Sequence, residues 1–326
     1  MNDFIPAFDF HRVFIAPWAQ NMDTTLWIFL MGFLVATACG LVGNYLILRR
    51  MALVGDAISH SILPGIAIAF LIARSRNSTA MFLGALAAGI ITTIIIEAIH
   101  KRTRVKQDAA IGIAFTSLFA IGVILISLYA AKVDLDQECV LYGEIGFVTP
   151  LTQPVVTVGG VMLGPVPVVR MAAVALISIV LIVIFYKELL VSSFDPALAF
   201  SLGINATVVH YALMCWLSVV VVSAFEAVGA ILVIAMLILP GATAALLSHR
   251  LPVIMVLTIF HAALSSLLGV HLGTWLNCSL AGAMVVMGGF LFTLAWIFGP
   301  QGLLWRAFRR EAELEPPESG ARTATG

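Results

Sequence analysis

The 326-residue chain predicts an all-α polytopic membrane protein of about eight to nine transmembrane helices. Three observations carry that reading. Hydrophobic residues make up 61% and charged residues 10% of the chain, whereas a soluble domain holds roughly a quarter charged and about half apolar residues. The mean hydropathy is +1.09. Apolar runs near the ~20 residues needed to cross a ~30 Å hydrocarbon layer recur from end to end. Together these exclude an ordinary soluble enzyme and a disordered or collagen-like chain. Seventeen basic residues cancel seventeen acidic ones, so no global field draws nucleic acid. The four cysteines form no CxxC pair and no disulfide-dense scaffold.

Residues 1–24 carry Asp3, Asp9 and Asp23, lack a basic n-region, and are aromatic and proline-broken. They are expected to be an extracytoplasmic arm, interfacial or frayed, rather than a cleaved signal peptide. Spans are expected near 25–48, 53–73, 80–99, 109–130, 168–186, 207–224, 228–247, 252–271 and 279–298. Twelve of the seventeen Lys and Arg residues then fall on one side, among them Arg49, Arg50, Lys101, Arg102, Lys187, Arg250 and Arg306. The positive-inside rule makes that side the cytoplasm, with the N-terminus outside and the C-terminus inside.

Val208 to Leu247 is 40 residues. One straight helix of that length would measure ~60 Å, twice the bilayer core, so a break is required near 224–229. Whether two full spans or a re-entrant piece result is open at this point. The break puts Glu226 near the outer mouth, where it is either a gate or relay carboxylate or a solvated turn residue.

Two hydrophilic stretches stand out. The external loop at about 131–167 bears Asp134, Asp136, Glu138 and Glu144, either a cation-attracting cluster or merely solvated charge. The cytoplasmic segment at about 187–205 holds Phe194, Asp195, Pro196 and Gly203. Asp195 is a good N-cap, Pro196 suits the first helical position and Gly203 a C-terminal stop, so a two-turn cytoplasmic helix is expected. Residues 301–326 form a cytoplasmic tail, disordered after about 311.

Asp56 and His60 are the sharpest feature. Their i, i+4 spacing places both on one helix face. Counted from Arg50, His60 lies ~15 Å into the layer, close to its midplane. An aspartate there costs roughly 3 kcal/mol unless paired. A divalent cation would relieve the cost, and carboxylate plus imidazole suits Mn²⁺, Zn²⁺ or Fe²⁺ better than Mg²⁺ or Cu⁺. Pro64 also leaves the His60 carbonyl without its helical donor. The competing reading is a hydrogen-bonded pair that locks two helices. Two ligands are not a complete site, but two copies of the chain would supply four.

His210, His261 and His271 are expected to be hydrogen-bonded packing residues. Glu97 is expected to pair with the adjacent basic cluster. Cys139 and Cys278 both map outside, and a disulfide between them is left open. No GxxxxGK[ST], H-E-x-x-H or G-x-S-x-G occurs, so no ATPase or hydrolase site is visible.

Four blocks carry a family resemblance: LILRRMALVGDAISHSILPG at 46–65, DAAIGIAF at 108–115, SFDPALA at 193–199 and VGAILVIAMLILPGATA at 228–244. In this order they resemble the metal-ion ABC transporter permeases, over about residues 25–300. The resemblance implies a type II ABC-importer-like permease domain in a bacterial plasma (inner) membrane. It implies a homo- or heterodimer of permeases, two cytoplasmic ATP-binding subunits and an extracytoplasmic metal-binding protein, with no permanently bound cofactor. Asp56 and His60 match the family's metal-path positions, and the capped helix at 196–202, with Phe194, Asp195 and Pro196 as its coupling residues, would dock on the ATPase. Glu226 and the acidic stretch ending at Glu144 look more like the manganese/iron branch, which makes Mn²⁺ the leading ion, with Zn²⁺ or Fe²⁺ as near rivals. Two other classes compete. A proton-coupled secondary transporter would use Asp56, Glu226 and histidines without an ATPase, and a metal-chelate importer would need a wider cavity.

Overall fold

The computed structural model describes residues 6–73, 78–129, 145–158, 160–300 and 302–303. A π-helical turn His11–Ile15 leads into α1 (Ala16–Gln20), followed by α2 (Met22–Leu48), α3 (Leu53–Ala73), α4 (Ser78–Arg102) and α5 (Gln107–Tyr129). A hairpin of β1 (Val155–Val158) and β2 (Val161–Pro165) precedes α6 (Val166–Ile184), α7 (Tyr186–Phe194) and α8 (Pro196–Ser201). The chain then forms α9 (Ala206–Leu247), α10 (Leu251–Leu276) and α11 (Leu280–Phe298). Among the described residues eight helices are long and apolar enough to span, namely α2 to α6, the first part of α9, α10 and α11. The protein is thus a multi-pass membrane protein whose spanning segments are all helical, as its composition predicts.

Helix α2 forms the centre. It is apolar all round, which suits a helix packed on every side, and Val35, Ala38, Val42 and Tyr45 are fully buried. It packs against α6, α9 and α10, while α3 lies among α4, α5 and α9. The two Pro-Gly pairs play parallel parts. A methyl group on Gly65 would lie 2.6 Å from Ala88 Cβ and collide with the Gly84 carbonyl, so α3 and α4 cross backbone to backbone. On α9, a methyl group on Gly241 would lie 2.5 Å from the Asn44 side-chain oxygen. Asn44 itself donates to Thr258 Oγ1 at 3.0 Å, tying α2 to α10 beside that crossing.

Helix α9 resolves the open question of length. It breaks at Gly229, whose φ of 74° and ψ of 170° are accessible in practice only to glycine. Ala206–Phe225 is long enough to span, but Leu232–Leu247 is a shorter apolar helix. From the break at Gly229 to Leu247 the helix runs 18 residues and reaches ~27 Å, just under the ~30 Å core. Where a second span is expected, a shorter apolar helix follows the break.

The loop before α6 departs from its expected hydrophilic reading. β1 and β2 pair antiparallel with an irregularity between Val156 and Thr157. Gly164, at φ 128°, lies under the Trp27 ring, which leaves no room for a Cβ. The hairpin thereby seats on α2, and α6 starts directly after Pro165. At the other end of the chain, residues 6–20 pack onto α10. Trp275 Nε1 donates to the Pro6 carbonyl at 3.0 Å, and His271 Nδ1 lies 2.9 Å from the Val13 carbonyl. Phe8 meets Trp275 edge-on at 5.3 Å and Phe14 lies 4.6 Å from the His271 ring.

Candidate functional site

Asp56 and His60 share one face of α3, as their spacing requires. His60 Nε2 lies 3.2 Å from Asp56 Oδ1, and the two side chains are 25% and 29% exposed. Neither is sealed in the core, so a small ion can reach them from the open side. Asp56 occupies the first turn of α3. There the N-terminal end of the helix dipole favours its negative charge by about 0.3–1 kcal/mol, only part of the desolvation cost. From α5, Phe115 and Phe119 wall the imidazole at 5.8 and 5.9 Å between ring centres. The opposite side of α3 faces the core: Ala57, Ile58, Ser61 and Ile62 are fully buried. Leu237 of α9 presses on Gly55. With Nε2 directed at the carboxylate, Asp56 Oδ2 and His60 Nδ1 are the atoms with lone pairs to offer. Among the described residues no group of three His, Cys, Asp or Glu gathers here or elsewhere.

The capped helix forms as its residues dictate. Asp195 accepts hydrogen bonds from the Ala197 and Leu198 amides, both at 3.0 Å, and Pro196 opens the first turn. Gly203 takes the left-handed conformation at φ 79°. Its amide bonds to Phe200 and the Ile204 amide to Ala199, which closes the helix with a Schellman motif. Phe194, Leu198 and Phe200 stand exposed at 65%, 48% and 83%. Leu198 and Phe200 sit on this doubly capped helix, and Phe194 ends α7 directly before it.

Of Glu226 only the backbone is described; it is helical, three residues before Gly229. Asp134, Asp136, Glu138, Cys139 and Glu144 lie outside the described residues, as does the tail from residue 304. The histidines are hydrogen-bonded as expected. His261 Nε2 lies 3.2 Å from the Gly288 carbonyl, and His271 holds the N-terminal arm. Both sit on α10.

A second polar constellation surrounds Glu97. Its Oε2 pairs with Lys101 at 2.9 Å, as the sequence suggests. Its Oε1 lies 2.6 Å from His210 Nε2, a partner 113 positions away that no local spacing could reveal. His210 Nδ1 in turn lies 3.2 Å from Arg49 Nη1. The Arg49 fork also donates from Nη2 to Ser192 at 2.9 Å and from Nε to Ser193 at 3.0 Å. Arg49 closes α2, and Arg50 takes the left-handed seat usually given to glycine, at φ 58°. The Met51 amide bonds back to Leu46, which turns the chain into α3.

The ABC 3 transport family matches residues 21–299. The manganese transport system membrane protein MntD of Bacillus subtilis is 45% identical over 88% of this chain and 97% of its own length. The zinc transport system membrane protein TroD of Treponema pallidum is 42% identical over 85% of this chain and 74% of its own. Among solved structures, PsaBC from Streptococcus pneumoniae in complex with Fab superposes with a TM-score of 0.74 at 32% identity. That match covers 91% of this chain and 98% of the other. These matches lead to one conclusion: the chain belongs to the ABC 3 transport family, as a membrane permease subunit of a metal transporter that leaves ATP hydrolysis to another subunit.

Proposed function

We propose that the chain is the permease of an ATP-driven importer of a divalent transition metal, foremost Mn²⁺. The observation that carries this is the Asp56–His60 pair: one carboxylate and one imidazole on a single face of α3, part-exposed and walled by Phe115 and Phe119. The cost of keeping that aspartate charged, offset in part by His60 and by the helix dipole, is relieved further when a cation binds. Two copies of the permease, facing each other across a pathway, bring two carboxylates and two imidazoles to one ion, a set suited to Mn²⁺, Zn²⁺ or Fe²⁺. The manganese relative at 45% identity favours Mn²⁺, and the zinc relative at 42% makes Zn²⁺ its nearest competitor.

In this reading the N-terminus faces outward and the basic ends of the helices face the cytoplasm of a bacterial inner membrane. An extracytoplasmic binding protein delivers the ion to the outer mouth, where Asp134, Asp136 and Glu138 attract it and Glu226 gates the way. Two ATP-binding subunits dock on α8 through Phe194 and the cap made by Asp195 and Pro196. Their closure and release alternate access to Asp56 and His60. The test is ATP-dependent uptake of radiolabelled Mn²⁺ into proteoliposomes holding the complete importer, with Zn²⁺ and Fe²⁺ as competitors. Asp56→Ala and His60→Ala should each abolish uptake with assembly intact. Normal uptake in both variants would reduce the pair to a structural lock.

A further inference from the structure

Arg49 stands where two parts of this machinery meet. It closes α2, and the chain turns through Arg50 and Met51 directly into α3, the helix of Asp56 and His60. Its guanidinium meanwhile holds the last turn of α7 through Ser192 at 2.9 Å and Ser193 at 3.0 Å. Asp195, the cap of α8, follows almost at once. One side chain therefore bridges the capped helix and the joint at the foot of α3.

The groups behind Arg49 aim its fork. Arginine can only donate, so His210 Nδ1 must accept from it and His210 Nε2–H must donate to Glu97. Lys101 holds the other Glu97 oxygen at 2.9 Å and reaches the Tyr211 hydroxyl at 3.3 Å. Four helices contribute: α2 gives Arg49, α4 gives Glu97 and Lys101, α9 gives His210 and Tyr211, and α7 gives the two serines. A planar fork with five fixed donors can serve three acceptors in different directions; a lysine ammonium cannot hold the same set with the same geometry.

We propose that Arg49 is the positioning residue that ties movement of α8 to the α2–α3 joint, with His210 and Glu97 keeping its fork in register. This rests on the reading of α8 as the ATPase-docking element and α3 as the metal path. It differs from a static clamp in a measurable way: a clamp holds the bundle together, whereas a link passes on a change made at one end.

The test uses the complete importer in lipid nanodiscs, with hydrogen–deuterium exchange followed with and without a non-hydrolysable ATP analogue. In the wild type, peptides covering residues 193–203 and 46–60 should both change exchange on nucleotide binding. In Arg49→Gln the first peptide should still respond and the second should fall silent. Metal taken up per ATP hydrolysed should drop by about five- to tenfold, the scale of a modest coupling between sites. His210→Ala should behave alike. His210→Gln, whose amide offers both an acceptor and a donor, should restore the link. A response at 46–60 that survives Arg49→Gln, or is absent in the wild type, overturns the proposal. So does loss of both responses together, which marks a clamp needed only for docking. The exchange readout is indifferent to the ion. A wild type that carries no Mn²⁺, Zn²⁺ or Fe²⁺ would sink the transport reading, while the exchange result still decides the link.

Discussion

Replacing Gly84 by alanine tests whether the seam between α3 and α4 sets the position of the metal-path helix. The new methyl group would lie 2.5 Å from Ala69 Cβ and would also collide with the Gly65 carbonyl oxygen. Carbon atoms in good contact sit about 3.5–4.0 Å apart, so the two helices must separate by roughly 1 Å. No side chain can rotate away, because both obstacles are fixed to backbone. Overpacking of this kind costs about 1–3 kcal/mol, partly offset by the better helix propensity of alanine, worth up to about 1 kcal/mol. The control is Gly289→Ala on α11, where nothing lies within 4 Å of the added carbon. Thermal unfolding of the purified protein in detergent compares the two. Gly84→Ala should melt clearly below the wild type and Gly289→Ala at or above it. Equal melting temperatures for the two variants would refute the claim that backbone contact fixes α3 against α4.

Two other substitutions probe the remaining elements. Asp195→Ala removes both cap hydrogen bonds of α8 and should destabilise that helix by about 0.5–2 kcal/mol, read as weaker co-purification of the ATP-binding subunits, while Asp195→Asn should retain them. Gly229→Ala places a side chain at φ 74° and ψ 170°, a conformation costing on the order of 1–3 kcal/mol outside glycine, and should lower the melting temperature; an unchanged value would show that the break in α9 needs no glycine.

Much of the fold was legible because the signals are local. Span positions follow from hydropathy, which needs no knowledge of neighbours. Asp195, Pro196 and Gly203 act within one short segment, so their roles could be read from order alone. The Asp56–His60 pair follows from helical period. What escaped depends on residues far apart in the chain. The hairpin at Val155–Pro165 is held by Trp27 against Gly164, a contact invisible in a stretch that reads as loop. Glu97 showed its local partner Lys101 but hid His210, and the Arg49 bridge to Ser192 and Ser193 joins residues more than a hundred positions apart. The two Leu-Pro-Gly echoes, at 63–65 and 239–241, are too brief on their own to read as a repeat, yet both mark helix crossings where an added Cβ would clash.

The first of those echoes also gives α3 a fulcrum. Pro64 has no amide hydrogen, so bending the helix there breaks no backbone hydrogen bond of its own. The very next residue, Gly65, rests backbone to backbone on Gly84, and Gly122 of α5 lies against the Pro64 ring on another side. Contacts of this sort contain no rotamers to rearrange and present a smooth bearing surface. His60 sits one turn away, about 6 Å along the axis. A tilt about this pivot would swing the imidazole and its carboxylate partner as a rigid lever, leaving their 3.2 Å contact intact while changing what they face.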